Sequence, residues 1–148
     1  MTASTSAAPA FSLLGTTAVL FEATGPEMTL ATQQRIWSLS HEAQQWPEVL
    51  EAVPGMNNLM LVLARPPRRL DALRERLFEH WDSVTPMARE GRVVDLPVVY
   101  GGDGGPHMAD VVAHTGLGVD DIVDLHSTPT YPVYALGSHP GYCYLGGM

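Results

Sequence analysis

The chain has no lysine, one cysteine, and no arginine beyond Arg92. Without a lysine it cannot itself carry biotin. The lone Cys143 excludes an internal disulfide framework and fits a reducing compartment. Residues 93–148 hold six aspartates and no fixed cation, and the net charge is −8, which argues against nucleic acid or an anionic membrane surface as partner. An anion bound in this half would need backbone N–H groups, histidine or a partner as its counter-charge. No apolar run approaches the roughly 18 to 20 residues of a membrane span. The first eleven residues lack the basic start and apolar core of a signal peptide and are expected to form a disordered tail. These absences describe a soluble, cytoplasmic protein.

What is present suits one ordinary domain or two small ones: 148 residues, 45% of them hydrophobic. Residues 11–14 and 18–22 are short apolar stretches broken by Gly15, as in a strand or a strand with a kink. Pro26 follows Gly25, and Met28, Leu30, Ile36, Trp37 and Leu39 then recur at near-helical spacing to about residue 43, with Pro47 preventing continuation. Residues 48–53 read as extended, 54–58 as a turn and 59–63 as a buried strand. Leu70, Leu73, Leu77, Phe78 and Trp81 form a second amphipathic stripe, closed by Pro86. Residues 92–100 add a strand. Strand, helix, strand, strand, helix, strand is the βαββαβ order of a ferredoxin-like unit. Two short helices follow at about 106–115 and 119–127, and a last strand at 131–137.

Several features can carry chemistry. Gly101-Gly102-Asp103-Gly104-Gly105-Pro106-His107 sets flexible backbone ahead of a helix start. It reads either as an anion or carbonyl site built from N–H groups and the helix dipole, or as a tight turn with Pro106 in the first helical position. It matches neither a phosphate-binding P-loop nor the dinucleotide fingerprint. His107 and His114 are two helical turns apart, about 10 Å, too far to ligate one metal together, and no HxxxH, HxH or CxxC pair occurs. His126 ends an acidic helix just before the bend Ser127-Thr128-Pro129-Thr130, and serves either a site or the helix end. No GxSxG elbow surrounds the hydroxyls of that bend. Cys143 shows no activating cation and reads as a small buried side chain. Tyr131, Tyr134, Tyr142 and Tyr144 offer aromatic faces with polar tips, with Tyr142 and Tyr144 on one face of an extended segment. Residues 111–125 imitate a helix-turn-helix, but Asp120, Asp121 and Asp124 on its second helix would be repelled by phosphates, so DNA binding is rejected.

The strings "VVDLPVVYGGDGGP", "VVAHTGLGVDDIVDLHSTPTYPVYALG" and "HPGYCYLGG", with "GTTAVLFEA" and "VPGMNNLMLVL" before them, resemble the family of 5-oxoprolinase B subunits. That family is also known as allophanate hydrolase subunit 1 or the KipI-like proteins, and is built on the carboxyltransferase subdomain C and D module. The likeness runs from about Leu13 onward and is most specific in the second half. It implies an α+β chain: a ferredoxin-like domain over residues 12–90 after the tail of 1–11, then the first part of a cyclophilin-like β-barrel over 91–148. Family members continue well past the last of these strings, so the resemblance implies a C-terminally truncated chain with an incomplete barrel. Ser138, His107 and Gly104 depart from the residues usual in the family, which bears on the substrate more than on the fold.

The same resemblance implies a component of an ATP-dependent 5-oxoprolinase complex, a hydrolase that opens 5-oxoproline to glutamate and is inactive as this chain alone. The implied partners are the KipA-like C component, a sister protein, and the lactam-utilisation A component. No cofactor is expected on this chain, and ATP is expected on a partner subunit. Two other roles fit the same module: a KipI-like inhibitor of a sensor histidine kinase, and half of a biotin-dependent urea- or allophanate-type carboxyltransferase. Position in the motifs makes His126 the candidate proton-handling residue. Gly101, Gly102, Gly105, Thr130, Tyr131, Gly141 and Tyr142 are the candidate substrate-binding residues, with Tyr131 and Tyr142 shaping a pocket and Gly141 allowing close backbone approach. No metal site is expected.

Overall fold

The apolar run of residues 59–63 makes a buried strand, and that strand is the centre of the fold. The computed structural model describes residues 9–23, 28–87 and 91–147. Its first strands are β1 (Ala10–Leu14), β2 (Ala18–Glu22), β3 (Val49–Pro54) and β4 (Asn58–Leu63). They form one antiparallel sheet in the order β1-β2-β4-β3. In β4, Leu59, Leu61 and Leu63 are buried while the residues between them are not. Cross-strand pairing sets Val19 against Leu61 and Phe21 against Leu59, so four fully buried side chains share one face.

Two helices of fourteen residues, α1 (Leu30–Ala43) and α2 (Leu70–Ser83), complete this core. Helix α1 contributes Ile36, Leu39 and Ala43, and α2 contributes Leu73, Leu77 and Trp81 at intervals of four. Each large apolar side chain buried here is worth about 1.5–3 kcal/mol. Phe21 lies edge-on to Phe78 at 5.8 Å and tilted to Trp81 at 5.2 Å, which locks the sheet to α2. Arg35 of α1 stacks its guanidinium 3.8 Å above the Trp81 ring and donates to the Trp81 carbonyl. Thr29 caps α1 by accepting from the Thr32 amide at 3.1 Å. Pro26, expected to open that helix, lies outside the described residues.

A second sheet holds β5 (Val133–Leu136) and β6 (Cys143–Leu145), an antiparallel pair. Gln33, fully buried on α1, donates from Nε2 to the carbonyls of Gly55 at 2.8 Å and Tyr134 at 3.2 Å. Its Oε1 accepts from the Asn57 amide at 2.9 Å. Trp37 donates from its indole to the same Tyr134 carbonyl at 3.0 Å. The Tyr134 ring is buried, and Gly146 makes room for it, since a Cβ there would come within 2.2 Å of the ring.

By compactness the chain divides into two units, the described residues up to 89 with 132–146, and those of 90–131. The second unit carries a 3₁₀ turn at Gly102–Gly104 and two helices, α3 (Met108–Thr115) and α4 (Val119–Ser127). Gly116 ends α3 in the left-handed conformation at φ 72°, and the Gly118 amide donates to the Asp121 carboxylate at 3.3 Å ahead of α4. No described residue of this unit is buried.

The structure therefore has α+β architecture, with four differences from the expected elements. Residues 92–100 form no strand, because a strand needs a neighbour to take its N–H and C=O groups and no described strand pairs with them. The expected strand or kinked strand around Gly15 is instead the hairpin β1–β2, turned by Gly15 at φ 64°. Of the expected tail, residues 1–8 lie outside the described residues, while Ala10 and Phe11 belong to β1. Cys143, expected to be buried, is exposed on β6. No helix among the described residues is long and apolar enough to cross a membrane.

Two substitutions test this core. Leu61→Ala empties a fully buried site at the middle of the sheet and should lower the unfolding free energy by about 2–5 kcal/mol, read by chemical denaturation. Gln33→Leu strands the Asn57 amide and removes a donor from two carbonyls, at about 1–3 kcal/mol for each buried group left unsatisfied. Amide exchange at Gly137 and Gly146, whose N–H groups are bonded at the ends of the β5–β6 hairpin, should then quicken. Unchanged exchange there would mean that Gln33 does not hold the hairpin.

Candidate functional site

The acidic helix α4 ends on His126, and its ring nitrogen Nδ1 meets the Tyr100 phenol oxygen at 2.6 Å. The two rings stand nearly perpendicular at 5.7 Å. On its other side His126 faces the Tyr131 ring at 5.9 Å. The Tyr131 phenol donates to the His126 backbone carbonyl at 2.7 Å, closing the bend through Pro129 and satisfying one of the last carbonyls of α4. Sequence order brings this about: a helix end followed by a proline bend returns the chain, so a tyrosine five residues on reaches the turn it has just left. The result is a cluster of two phenols flanking an imidazole, Tyr100–His126–Tyr131, in the second unit.

The Tyr100 phenol and Nδ1 share one hydrogen bond, whose direction follows the ring's tautomer, and Nε2 lies outside it. His126 is exposed, so that second nitrogen can exchange a proton with solvent or a ligand. Tyr131 is half-buried and Thr130 exposed beside it. Tyr100 was not among the residues expected from sequence, where it closed a strand. Its place directly before the glycine loop was the signal available.

The glycine loop is a closed turn. The Gly105 amide donates to the Gly101 carbonyl at 2.9 Å, so it is consumed within the loop. A Cβ on Gly105 would approach the Gly101 nitrogen to 2.5 Å, while Gly101 and Gly102 sit at φ 74° and 54°. Glycine is thus required at these positions for the turn itself. Pro106 is not the first helical residue: α3 starts at Met108, with His107 before it. His107 pairs instead with Asp110 at 3.3 Å, fully in solvent.

Gly141 and Tyr142 lie in the first unit. Gly141 turns the β5–β6 connection at φ 81°, and the Tyr142 carbonyl accepts from the Gly137 amide at 2.7 Å. Tyr142 packs edge-on against Tyr144 at 5.6 Å, as expected for side chains on one strand face. Gly137 is pressed so near the Tyr142 ring that a Cβ would meet it at 2.6 Å. The structure thus gathers His126 and Tyr131 into one cluster and holds Gly141 and Tyr142 in a separate turn. None of the expected residues lines either of two hollows of about 380 and 500 Å³ in the first unit. Among the described residues no group of three or more His, Cys, Asp or Glu could hold a metal ion.

Comparison with known proteins gives this arrangement a context. The chain is 46% identical over 137 residues to the B subunit of 5-oxoprolinase from Escherichia coli O157:H7, a stretch covering 92% of this chain and 62% of that protein. A second B subunit of 5-oxoprolinase, from Haemophilus influenzae, is 31% identical over 128 residues, covering 83% of this chain and 57% of its own length. The chain thus spans about three fifths of the length of these curated relatives. Among solved structures, a conserved uncharacterized protein from Pyrococcus horikoshii is 30% identical, with a TM-score of 0.42, over 94% of this chain and 64% of that one. The family model described as carboxyltransferase domain, subdomain C and D, matches residues 9–148, and the chain belongs to that family.

Proposed function

We propose that this chain serves as the B-type component of an ATP-dependent 5-oxoprolinase complex in the cytoplasm, opening 5-oxoproline to glutamate. The observation that carries this reading is the 46% identity across 92% of the chain with a protein named as the B subunit of 5-oxoprolinase. The partners are the KipA-like C component and the lactam-utilisation A component, with ATP handled outside this chain. The finer fold follows the same reading. The sheet order β1-β2-β4-β3, with α1 between β2 and β3 and α2 after β4, supports a ferredoxin-like first domain. The edge place given elsewhere to the last strand of that fold is here taken by β1. A cyclophilin-like barrel that starts near residue 91 is the corresponding proposal for the second half.

Opening the lactam breaks its amide C–N bond: hydroxide from water ends on the carbonyl carbon and a proton on the ring nitrogen. The amide is stable, so the reaction is driven by phosphoryl transfer. A proton must be delivered to the leaving nitrogen, and an exposed imidazole with one ring nitrogen outside its hydrogen bond suits that task. His126 is assigned this role, with Tyr100 holding its Nδ1 and Tyr131 fixing the backbone beneath it. Gly101, Gly102 and Gly105 shape the loop beside Tyr100, and Thr130, Gly141 and Tyr142 are further substrate-contact candidates.

Glutamate formation from 5-oxoproline and ATP by the two partner proteins, with and without this chain, tests the proposal. The Escherichia coli O157:H7 relative provides the positive control. Turnover should appear on adding the chain, and His126→Ala should lower kcat about a hundredfold, the lower bound for losing a general acid or base. Turnover restored by the relative but not by this chain would overturn the proposal. Turnover unchanged in His126→Ala would remove His126 from the mechanism.

A further inference from the structure

The most concentrated positive charge of this acidic chain belongs to the first unit, whereas the tyrosine–histidine cluster belongs to the second. "RPPRR" runs from Arg65 to Arg69 directly before α2, and Arg76 follows within the helix. These four of the eight arginines line one cleft of about 500 Å³, in which Glu48 is the one carboxylate residue. Glu48 is already engaged, its Oε1 pairing with Arg76 Nη1 at 3.0 Å. Arg76 is further held by stacking 3.8 Å over the Trp46 ring. One guanidinium is therefore fixed in the wall. Arg65, Arg68 and Arg69 make no ion pair among the described residues, although acidic residues outnumber arginines sixteen to eight in the chain. Four arginines against one glutamate leave the lining at +3. Helix α2 begins at this cleft without a side-chain cap, and Asp71 in its first turn offsets the positive end of its dipole, so the arginines carry the charge of the site. Leu63, Pro66 and Ala72 supply apolar wall.

We propose that this cleft binds a small, multiply charged phosphate compound, a di- or triphosphate group with or without an organic part. Guanidinium forks engage phosphate oxygens in pairs, and several forks converging on one hollow suit a ligand with several oxygens better than a single carboxylate. The volume falls in the range of about 300–1,000 Å³ typical of small-ligand sites, and the apolar wall can receive the organic part. A concave cleft of this size favours a compact anion over an extended acidic protein segment. The site stands on residues 48–76 alone and does not depend on the enzymatic reading above.

Isothermal titration of inorganic pyrophosphate, and of inorganic tripolyphosphate, without added metal, into the full chain at fixed ionic strength tests it. The expected result is saturable 1:1 binding, weakened at least about tenfold in Arg65→Gln/Arg68→Gln as two charge-assisted contacts are lost, and unchanged in Arg92→Gln. Circular dichroism checks that the double variant folds, and Arg68→Gln alone replaces it otherwise. Lack of saturable binding by both probes, or equal affinity in the arginine variants, would overturn the site. Tighter binding of a hexaglutamate peptide than of pyrophosphate would overturn it in favour of an acidic protein partner.

Discussion

A single amide side chain ties together three parts of the first unit that lie far apart in sequence. Gln33 is wholly out of water, and a buried amide is tolerated only when its donors and acceptor are satisfied. Its partners are the Gly55 carbonyl and the Asn57 amide, on the turn between β3 and β4, and the Tyr134 carbonyl of β5, 101 residues away. Each partner is a backbone group, so the restraint acts on chain path and not on side-chain choice. The turn must present Asn57 at φ 55° for its amide to reach the glutamine. The β5–β6 hairpin must bring the Tyr134 carbonyl to a point reached by both Gln33 and Trp37. The requirement for glycine at Gly146 follows, since the Tyr134 ring needs that space.

That dependence was not visible in the amino-acid pattern, whereas much of the surrounding fold was. The stripe Leu73, Leu77, Trp81 is a period the helix must bury, and residues 59–63 are a short apolar run between turn signals that suits a buried strand. Both are local signals. Gln33 breaks the apolar pattern of α1, and only its distant partners explain its burial. Residues 92–100 failed for the opposite reason. Val93, Leu96 and Val99 have strand-forming composition and remain about three-quarters exposed, because strand formation depends on a neighbour that local pattern does not supply. The misjudged Cys143 is of the same kind: the period-2 rule placed it opposite Tyr142 and Tyr144, but whether that face is covered is a tertiary matter.

The candidate site was legible in part. His126 and Tyr131 were singled out by a helix end and a proline bend, both local signals, and they do meet. Tyr100 meets them across 26 residues, a contact no spacing rule foretells. The glycine loop was open to two readings from sequence. Its composition promised N–H groups for an anion, but the turn spends the Gly105 amide on its own carbonyl. Of the two readings the sequence left open, the tight turn describes its hydrogen bonding.

That outcome constrains how a lactam substrate could be held. 5-Oxoproline carries one carboxylate, and residues 93–148 offer no fixed cation to meet it. With the Gly105 amide committed and the His126 Nδ1 engaged by Tyr100, the polar groups beside them include the imidazole Nε2, the Thr130 hydroxyl and the glycine N–H groups not spent in the turn. These can orient a neutral amide carbonyl by hydrogen bonds, which cost little desolvation. They are poorly matched to a full negative charge, which demands a cation or several convergent donors. A role of the cluster in handling the lactam amide therefore requires the substrate carboxylate to be neutralised by groups outside residues 93–148. All eight arginines of the chain lie at or before Arg92, so a lactam handled at the cluster needs its counter-charge from there or from beyond the chain, never from the acidic half that holds the imidazole.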